Sequence, residues 1–154
     1  MKKFIIHSFL LLIAVTLQAQ NEDTNDAITK PIKQLFEGMA KKDTSLMKSV
    51  FHPAASLSTT YTDKEGKAHY KEEEIKGFIS SIGQIPAEQN LEERILDYQV
   101  KVDDNLAVVW TPYEFYFGGN FSHCGVNAFT LFKSEEGWLI TSIVDTRRRK
   151  GCEE

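Results

Sequence analysis

The sequence predicts an α+β domain in which helices cover one face of a curved, mostly antiparallel sheet. Apolar residues recur at helical spacing in three segments between residues 28 and 83. After residue 90 the apolar period changes to two, which is typical of strands. The order of helix, helix, hairpin, helix and then four long strands favours helices segregated on one side of an antiparallel sheet.

Residues 1–20 carry the pattern of a secretory signal peptide. Two lysines precede an apolar run over residues 4–17, and polar residues follow Ala19. The run is shorter than the ~20 residues that a membrane-spanning helix needs, and an uncleaved anchor is the alternative. We therefore expect an exported protein, periplasmic or secreted, with one domain over residues 21–152 and no membrane attachment after signal cleavage.

The charge balance argues against several classes of partner. The chain has a formal net charge of −4 at pH 7. A mildly acidic domain is a poor match for nucleic acid or for an anionic membrane surface. The basic run at residues 147–150 is too short and isolated to change that expectation. We predict no nucleic-acid partner, and this charge balance leaves a small-molecule ligand open.

Two helices are predicted before the first strand. The first carries one apolar stripe from Ile28 to Met39. The second is short, is capped by Asp43 or Thr44, and ends at Pro53. Both are expected to turn their apolar side toward the sheet.

A hairpin, a third helix and four strands complete the prediction. Residues 54–62 and 67–70 are expected to pair across a DKEG turn. The third helix is predicted over residues 71–83, and a strand is predicted over residues 91–102. The last three strands form a meander with the sequences LAVVWTPYEFYF, FSHCGVNAFTLFK and WLITSIVDTRRR.

Three stretches resemble the nuclear transport factor 2-like superfamily, which includes polyketide-cyclase-like and ketosteroid-isomerase-like proteins. They are FEGMAKKDTSLMKSVFHPAASL, VVWTPYEFYFGGNFSHCGVNAFTLFKSEEGWLI and DTRRRKGC, and the resemblance covers about residues 27–149. The last stretch is similar to the end of small exported members labelled lumazine-binding. The resemblance implies a cone, in which three N-terminal helices pack on a strongly curved sheet around an internal pocket. It also implies a homodimer through the outer sheet face, where Leu139 and Ile143 are candidates.

His123 is the strongest candidate for chemistry. It lies on a strand beside Gly125, whose lack of a side chain is expected to leave room for a ligand. A neutral imidazole in an apolar pocket can act as a general base near pH 7. The alternative is a strand-end histidine with a structural hydrogen bond.

Asp145 interrupts the apolar run SIVDT and is a second catalytic candidate. Its carboxylate could orient His123 or act as a base itself, and the alternative is a structural partner for a nearby arginine. Strand alternation that points Trp138 and Ile140 at the core would point Asp145 outward. A β-bulge near Gly137 would reverse this orientation.

Aromatic and polar residues of the same strands are candidates for ligand contact. Trp110, Tyr113 and Tyr116 could line a pocket, with the Tyr113 phenol assisting catalysis, although aromatic strand residues more often pack in a core. Asn127 is polar within an apolar strand and needs a hydrogen-bond partner if it is buried. His123 completes this ligand-contact set.

The two cysteines, Cys124 and Cys152, could form a disulfide in an oxidising compartment. A bridge and two free thiols are equally compatible with their spacing. Without paired CxxC spacing they do not indicate a zinc site, and no glycine-rich phosphate loop is present. We predict no metal and no cofactor.

Two functions therefore stand side by side. The first is binding of a small apolar or aromatic molecule, or of a protein partner, without chemistry. The second is a cofactor-free lyase or isomerase, similar to a dehydratase, with His123 as the general base. The resemblance implies a fold that supports both, so the fold does not decide between them.

Overall fold

The structure, a computed structural model, describes residues 24–152; the predicted signal peptide at residues 1–20 lies outside them. The helices of the described chain are α1 (residues 24–41), α2 (Thr44–Ser49) and α3 (Ile75–Gly83). Its strands are β1 (Phe51–Thr62), β2 (Ala68–Glu73), β3 (Leu91–Ile95), β4 (Gln99–Asp103), β5 (Leu106–Phe117), β6 (Asn120–Ser134) and β7 (Gly137–Arg147). The elements follow the predicted order with one additional strand, so the α+β class is confirmed.

The strands form a single mixed sheet in the order β2-β1-β7-β6-β5-β3. Strand β4 pairs with the first half of β5, and β3 pairs with its second half along the same edge. Strands β1 and β7 are parallel, and the other pairs are antiparallel. Because β1 lies beside β7, the N-terminal hairpin becomes the neighbour of the last strand.

The helices pack on one face of the sheet, which we call the inner face. Ile28 and Ile32 of α1 and Met47 of α2 are fully buried in one apolar core with strand residues. Phe36 of α1 meets Phe129 of β6 edge to face, with ring centroids 6.1 Å apart. The amphipathic stripes read from the sequence are therefore the surfaces that cover the sheet.

The junction between α2 and β1 differs from the prediction. Asp43 caps α2 as expected, but the helix ends at Ser49 and β1 already begins at Phe51. Pro53 therefore lies inside a strand. The ladder between β1 and β7 shifts register between Phe51 and Ser56, so the proline occupies a place where the ladder is interrupted.

Two further boundaries also differ. The helix predicted over residues 71–83 starts only at Ile75, because β2 extends to Glu73. Strand β2 is an edge strand, where charged side chains are tolerated because one side of the strand faces water. The strand predicted over residues 91–102 is divided into β3 and β4 by residues 96–98.

Across residues 24–152, no helix combines the length and the apolarity that crossing a bilayer requires.

Candidate functional site

A cavity of about 320 Å³ lies between the helices and the inner face of the sheet. Four phenylalanines contribute to its wall: Phe36, Phe78, Phe115 and Phe129. Aliphatic residues complete the apolar part: Leu35, Met39, Leu57, Ile82 and Ile143. Polar residues occupy the rest of the lining: Glu73, Ser81, Glu93, Tyr113, His123, Asn127, Asp145 and Arg147. The cavity is thus an apolar chamber with a concentrated polar region.

A β-bulge in β7 decides which residues reach this cavity. Thr130 pairs with Ser142 and Leu131 pairs with Ile140, so Thr141 is the extra residue. Its hydroxyl donates a hydrogen bond to the Thr130 carbonyl at 3.0 Å. The extra residue reverses the alternation, so Ile140 and Asp145 are both buried on the inner face. The reversal considered from the sequence occurs, at Thr141 rather than beside Gly137.

Asp145 is held in a closed hydrogen-bond network. The Thr59 hydroxyl donates to Oδ1 at 2.5 Å, and Arg147 Nε donates to Oδ2 at 2.8 Å. The Tyr113 hydroxyl lies 3.4 Å from the same Oδ2. Only 4% of Asp145 is exposed. Both carboxylate oxygens are occupied, and this arrangement suits a structural anchor that positions its donors.

Tyr113 lies on the inner face of β5 and is almost fully buried. Its hydroxyl donates to the Thr146 carbonyl at 3.0 Å. Burial, and then the nearby charge of Asp145, raise the pKa of this phenol, which keeps its proton in place. Tyr113 can therefore act as a donor but not as a base.

Gly125 is the cross-strand partner of Tyr113, and the space beside it is filled. A Cβ placed on Gly125 would lie 1.8 Å from the Thr146 carbonyl oxygen and 2.9 Å from the Tyr113 ring. The room that the sequence suggested for a ligand is thus occupied by the protein itself. Gly125 instead allows β7 and the tyrosine ring to approach β6 closely.

Glu93, which is half-buried, and Asn127, which is buried, form a second pair of polar side chains. Asn127 is 6% exposed, and its side-chain amide donates a hydrogen bond to Glu93 Oε1 at 2.8 Å. This bond supplies the partner that a buried asparagine requires. Burial raises the pKa of Glu93 to about 7, against the opposing effect of the asparagine bond. Glu93 therefore exchanges its proton near neutral pH.

Glu93 was not predicted as a site residue, although its position in the sequence carries a signal for a buried carboxyl group. Leu91, Glu93 and Ile95 alternate along β3 and share one side of the strand. Leu91 is buried, so this side is the inner face. An acidic residue between two apolar residues on the inward side of a strand is a candidate for a buried carboxyl group.

His123 lines the cavity but does not pair with Asp145. Its ring packs against Phe115 at 5.1 Å and against Tyr113 at 5.7 Å between centroids, and Nδ1 lies 3.1 Å from the Ser122 hydroxyl. No hydrogen bond or ion pair joins it to Asp145 within the described part of the chain. Burial, and then the charge of Arg147, lower the pKa of His123 below 6.5. The imidazole is neutral at pH 7.

Trp110 and Tyr116 lie on the opposite, outer face of the sheet, which corrects their assignment to the pocket. Along β5, the inward set includes Val109 and Tyr113, so even-numbered residues point outward. Trp110 is 47% exposed. The Tyr116 ring is covered by the Arg94 guanidinium at 4.0 Å. Neither aromatic residue lines the cavity.

Ile143, expected on the outer face, is instead buried on the inner face because of the bulge at Thr141.

Cys124 and Cys152 are joined by a disulfide, with Cα atoms 5.8 Å apart. Over residues 24–152, no cluster of three or more His, Cys, Asp or Glu side chains is placed to hold a metal ion.

Comparison with known proteins decides the family. Residues 23–144 match the model of a family described as "Putative lumazine-binding". The chain belongs to this family. No curated protein gives a significant match to the sequence.

Solved structures similar to this lumazine-binding family member share its fold. One is a nuclear transport factor 2-like superfamily protein from Salmonella enterica serovar Typhimurium, with 16% identity and a TM-score of 0.63 over 85% of this chain and 95% of that chain. Another is a protein of unknown function from Shewanella baltica, with 17% identity and a TM-score of 0.60 over 83% and 96%. A third is described as a putative dehydratase from Streptomyces avermitilis, with 14% identity and a TM-score of 0.59 over 84% and 99%. The resemblance to the nuclear transport factor 2-like superfamily is confirmed, and these identities show the fold alone.

Proposed function

We propose that this protein binds a small apolar or aromatic molecule in its interior cavity, outside the cytoplasm. The observation that carries the proposal is the cavity of about 320 Å³, whose wall includes four phenylalanines. Ligand sites are typically concave, mostly apolar and equipped with a few polar groups that fix orientation. The cavity would be the interior of the cone that the resemblance implies.

The polar region of the cavity supports a role in orienting a ligand. Asp145, Tyr113 and Asn127 already have protein partners, so they do not need a ligand to satisfy them. Glu93 and His123 remain able to exchange hydrogen bonds with a bound molecule. The family description makes lumazine one ligand to test, and the disulfide suits an exported protein.

Binding of neutral aromatic probes tests the proposal. We expect 2-naphthamide or lumazine to bind the purified mature protein with saturable fluorescence changes. The variant Ile143→Phe fills the cavity and should weaken binding at least about tenfold. Val102→Phe adds the same ring at an exposed position outside the cavity and should bind like the parent. Absence of saturable binding for both probes, or equal binding by Ile143→Phe, would contradict the proposal.

The second candidate function is a cofactor-free lyase or isomerase with His123 as the general base. It is favoured by a neutral imidazole and a carboxyl group of pKa about 7 on the wall of one cavity. In such a lyase or isomerase reaction, the general base removes a proton from the carbon atom beside a carbonyl group of the substrate. The relative from Streptomyces avermitilis carries a dehydratase description, which belongs to the same broad class of chemistry.

Exchange of carbon-bound protons tests this second function. With 2-tetralone in D₂O, proton NMR should show faster deuterium uptake beside the carbonyl than in buffer. His123→Gln should remove the acceleration, and His52→Gln, a change outside the cavity lining, should keep it. A parent protein that does not exceed the buffer rate would leave ligand binding as the function.

A further inference from the structure

A wide basic groove adjoins the cavity. Its volume is about 1220 Å³, and it is lined by β1, β2, β6, β7, the turn after β1 and the segment after β7. Six cationic side chains line it: Lys64, Lys71, Arg147, Arg148, Arg149 and Lys150. Three carboxylates share the lining: Asp63, Glu65 and Glu73. The groove is thus locally basic, although the chain carries a formal net charge of −4.

The groove and the cavity share part of their walls. Glu73, His123 and Arg147 line both spaces. His123 and Arg147 lie on the inner face of β6 and β7, where the apolar chamber gives way to the basic groove. A ligand that extends past these shared side chains would place an apolar part in the cavity and a polar part in the groove.

Positive charge in the groove is available to a ligand. Over residues 24–152, the side chains of Lys64, Lys71, Arg149 and Lys150 make no hydrogen bond or ion pair. By contrast, the Asp63 carboxylate accepts bonds from two backbone N–H groups and contacts the His69 ring at 2.6 Å. The groove therefore offers cations without assigned partners, while one of its carboxylates is already engaged.

The segment that carries three of the cations is fixed to the sheet at both ends. Cys124 and Arg148 exchange two backbone hydrogen bonds, of 3.0 and 2.9 Å. Four residues later, Cys152 is joined to Cys124 by the disulfide. The Arg148 guanidinium also donates to the Gly151 carbonyl at 2.6 Å. The cations of residues 148–150 are thereby held beside the cavity, which lowers the entropic cost of engaging an anion.

We propose that the ligand of this site is an amphipathic anion, with an aromatic or apolar body in the cavity and a carboxylate in the basic groove. The inference rests on the proposed ligand-binding function. Several cations around one carboxylate attract it and orient the ligand body toward the chamber. The apolar wall alone would accept any apolar molecule, and the basic groove alone would accept any anion. Because the two spaces adjoin, together they favour a molecule that has both parts.

A matched pair of probes tests the inference. 2-Naphthoate and 2-naphthamide have the same ring system and differ in charge, and titration calorimetry of the mature, disulfide-bonded protein measures both. We expect the anion to bind about fivefold more tightly than the amide at low salt, with the difference shrinking in 0.5 M NaCl.

Variants locate the source of the preference. Arg149→Gln/Lys150→Gln should reduce binding of 2-naphthoate to the level of the amide and leave the amide unchanged. Lys48→Gln/Lys76→Gln removes two exposed cations outside the groove and should keep the preference. Equal binding of both probes, or a preference that survives Arg149→Gln/Lys150→Gln, would overturn the inference while the binding function stands. If neither probe binds and lumazine does not bind either, the proposed function itself fails and this inference falls with it.

Discussion

Two carboxyl groups face the same cavity, and their surroundings give them different tasks. Asp145 receives short bonds from Thr59 and Arg147, and its charge is compensated. Glu93 has one side-chain partner, the Asn127 amide. Burial without a cation in direct contact favours the protonated form of a carboxyl group. Asp145 therefore anchors the polar region, and Glu93 is its proton-exchanging member.

Glu93 should make stability depend on pH. Its pKa is about 7 in the folded protein and 4.5 in its ordinary state, so the folded state holds the proton more tightly. This contribution to stability is complete below pH 4.5 and is lost as pH rises through 7. We expect the unfolding free energy to fall by about 2 kcal/mol more between pH 5 and pH 8 in the parent than in Glu93→Gln.

Urea unfolding at several pH values measures this difference. Glu92→Gln is the control, because Glu92 is exposed on the same strand and has a pKa lowered by its bond to Arg94. This control should retain the pH dependence of the parent between pH 5 and pH 8. Parallel pH profiles for the parent and Glu93→Gln would show that Glu93 is not the group responsible.

Gly125 should be intolerant of even a methyl group. An alanine Cβ would collide with the Thr146 carbonyl, which belongs to the backbone and cannot rotate away. We expect Gly125→Ala to destabilise the protein by about 2 kcal/mol. Gly77→Ala in α3 has open space around the new methyl group and should be neutral or stabilise by up to about 1 kcal/mol. Denaturant midpoints compare the two, and equal midpoints would argue against close approach at Gly125.

At the scale of elements, apolar periodicity predicted the helices and the final meander, because each of them buries one side of a regular structure. The hairpin was predicted from β-forming residues on either side of the DKEG turn. Periodicity could not place the bulge at Thr141, since the hydrogen bonds that form it involve the neighbouring strand β6. That single residue decides whether Asp145 and Ile143 face the cavity or the outside. The sequence therefore named His123, Asp145, Tyr113 and Asn127 as candidates, but which candidates line the cavity depended on tertiary pairing.

Two differences between the predicted and the observed strands have the same physical cause. Proline is usually absent from the interior of a paired strand, because it cannot donate a backbone hydrogen bond. Pro53 nevertheless lies inside β1, at the place where the register with β7 shifts. Residues 96–98 break the long strand predicted over residues 91–102, and both halves still pair with the same strand, β5. Local propensity carries no information on where a partner strand interrupts its ladder.

The disulfide should stabilise the end of the sheet and the whole fold. It links β6 to the segment after β7 across a sequence separation of 28 residues. Removing a cross-link of this length frees the unfolded chain and costs about 3 kcal/mol. Cys124→Ala/Cys152→Ala should therefore unfold at a lower temperature than the parent. The parent in reducing agent should approach the variant, and an unchanged midpoint under both conditions would show that the bridge adds no stability.

At the scale of the whole molecule, the two faces of the sheet differ in what covers them. The helices cover the inner face, whereas the outer face carries exposed apolar residues on β5 and β6. Leu106, Val108, Trp110 and Phe132 are each between 39% and 48% exposed. Leu106 pairs directly with Phe132, so these side chains are neighbours across two strands. Contiguous apolar surface of this kind is typical of an interface.

We propose that two copies of the chain associate through this outer face, because pairing under two-fold symmetry would bury the same apolar patch on both copies. Light scattering at micromolar concentration should report a dimer. Trp110→Glu places a charge in the centre of the surface and should weaken the dimer by about 30-fold or more. Val102→Glu is matched in exposure, but Val102 pairs with the inward-facing Ala107, so this control should remain dimeric. A monomeric parent would show that the chain does not dimerise. A Trp110→Glu variant that stays dimeric would place the interface on another surface. Loss of the dimer in Trp110→Glu but not in Val102→Glu would show that Trp110, which the sequence placed in the pocket, contributes to an interface on the outer face of the sheet.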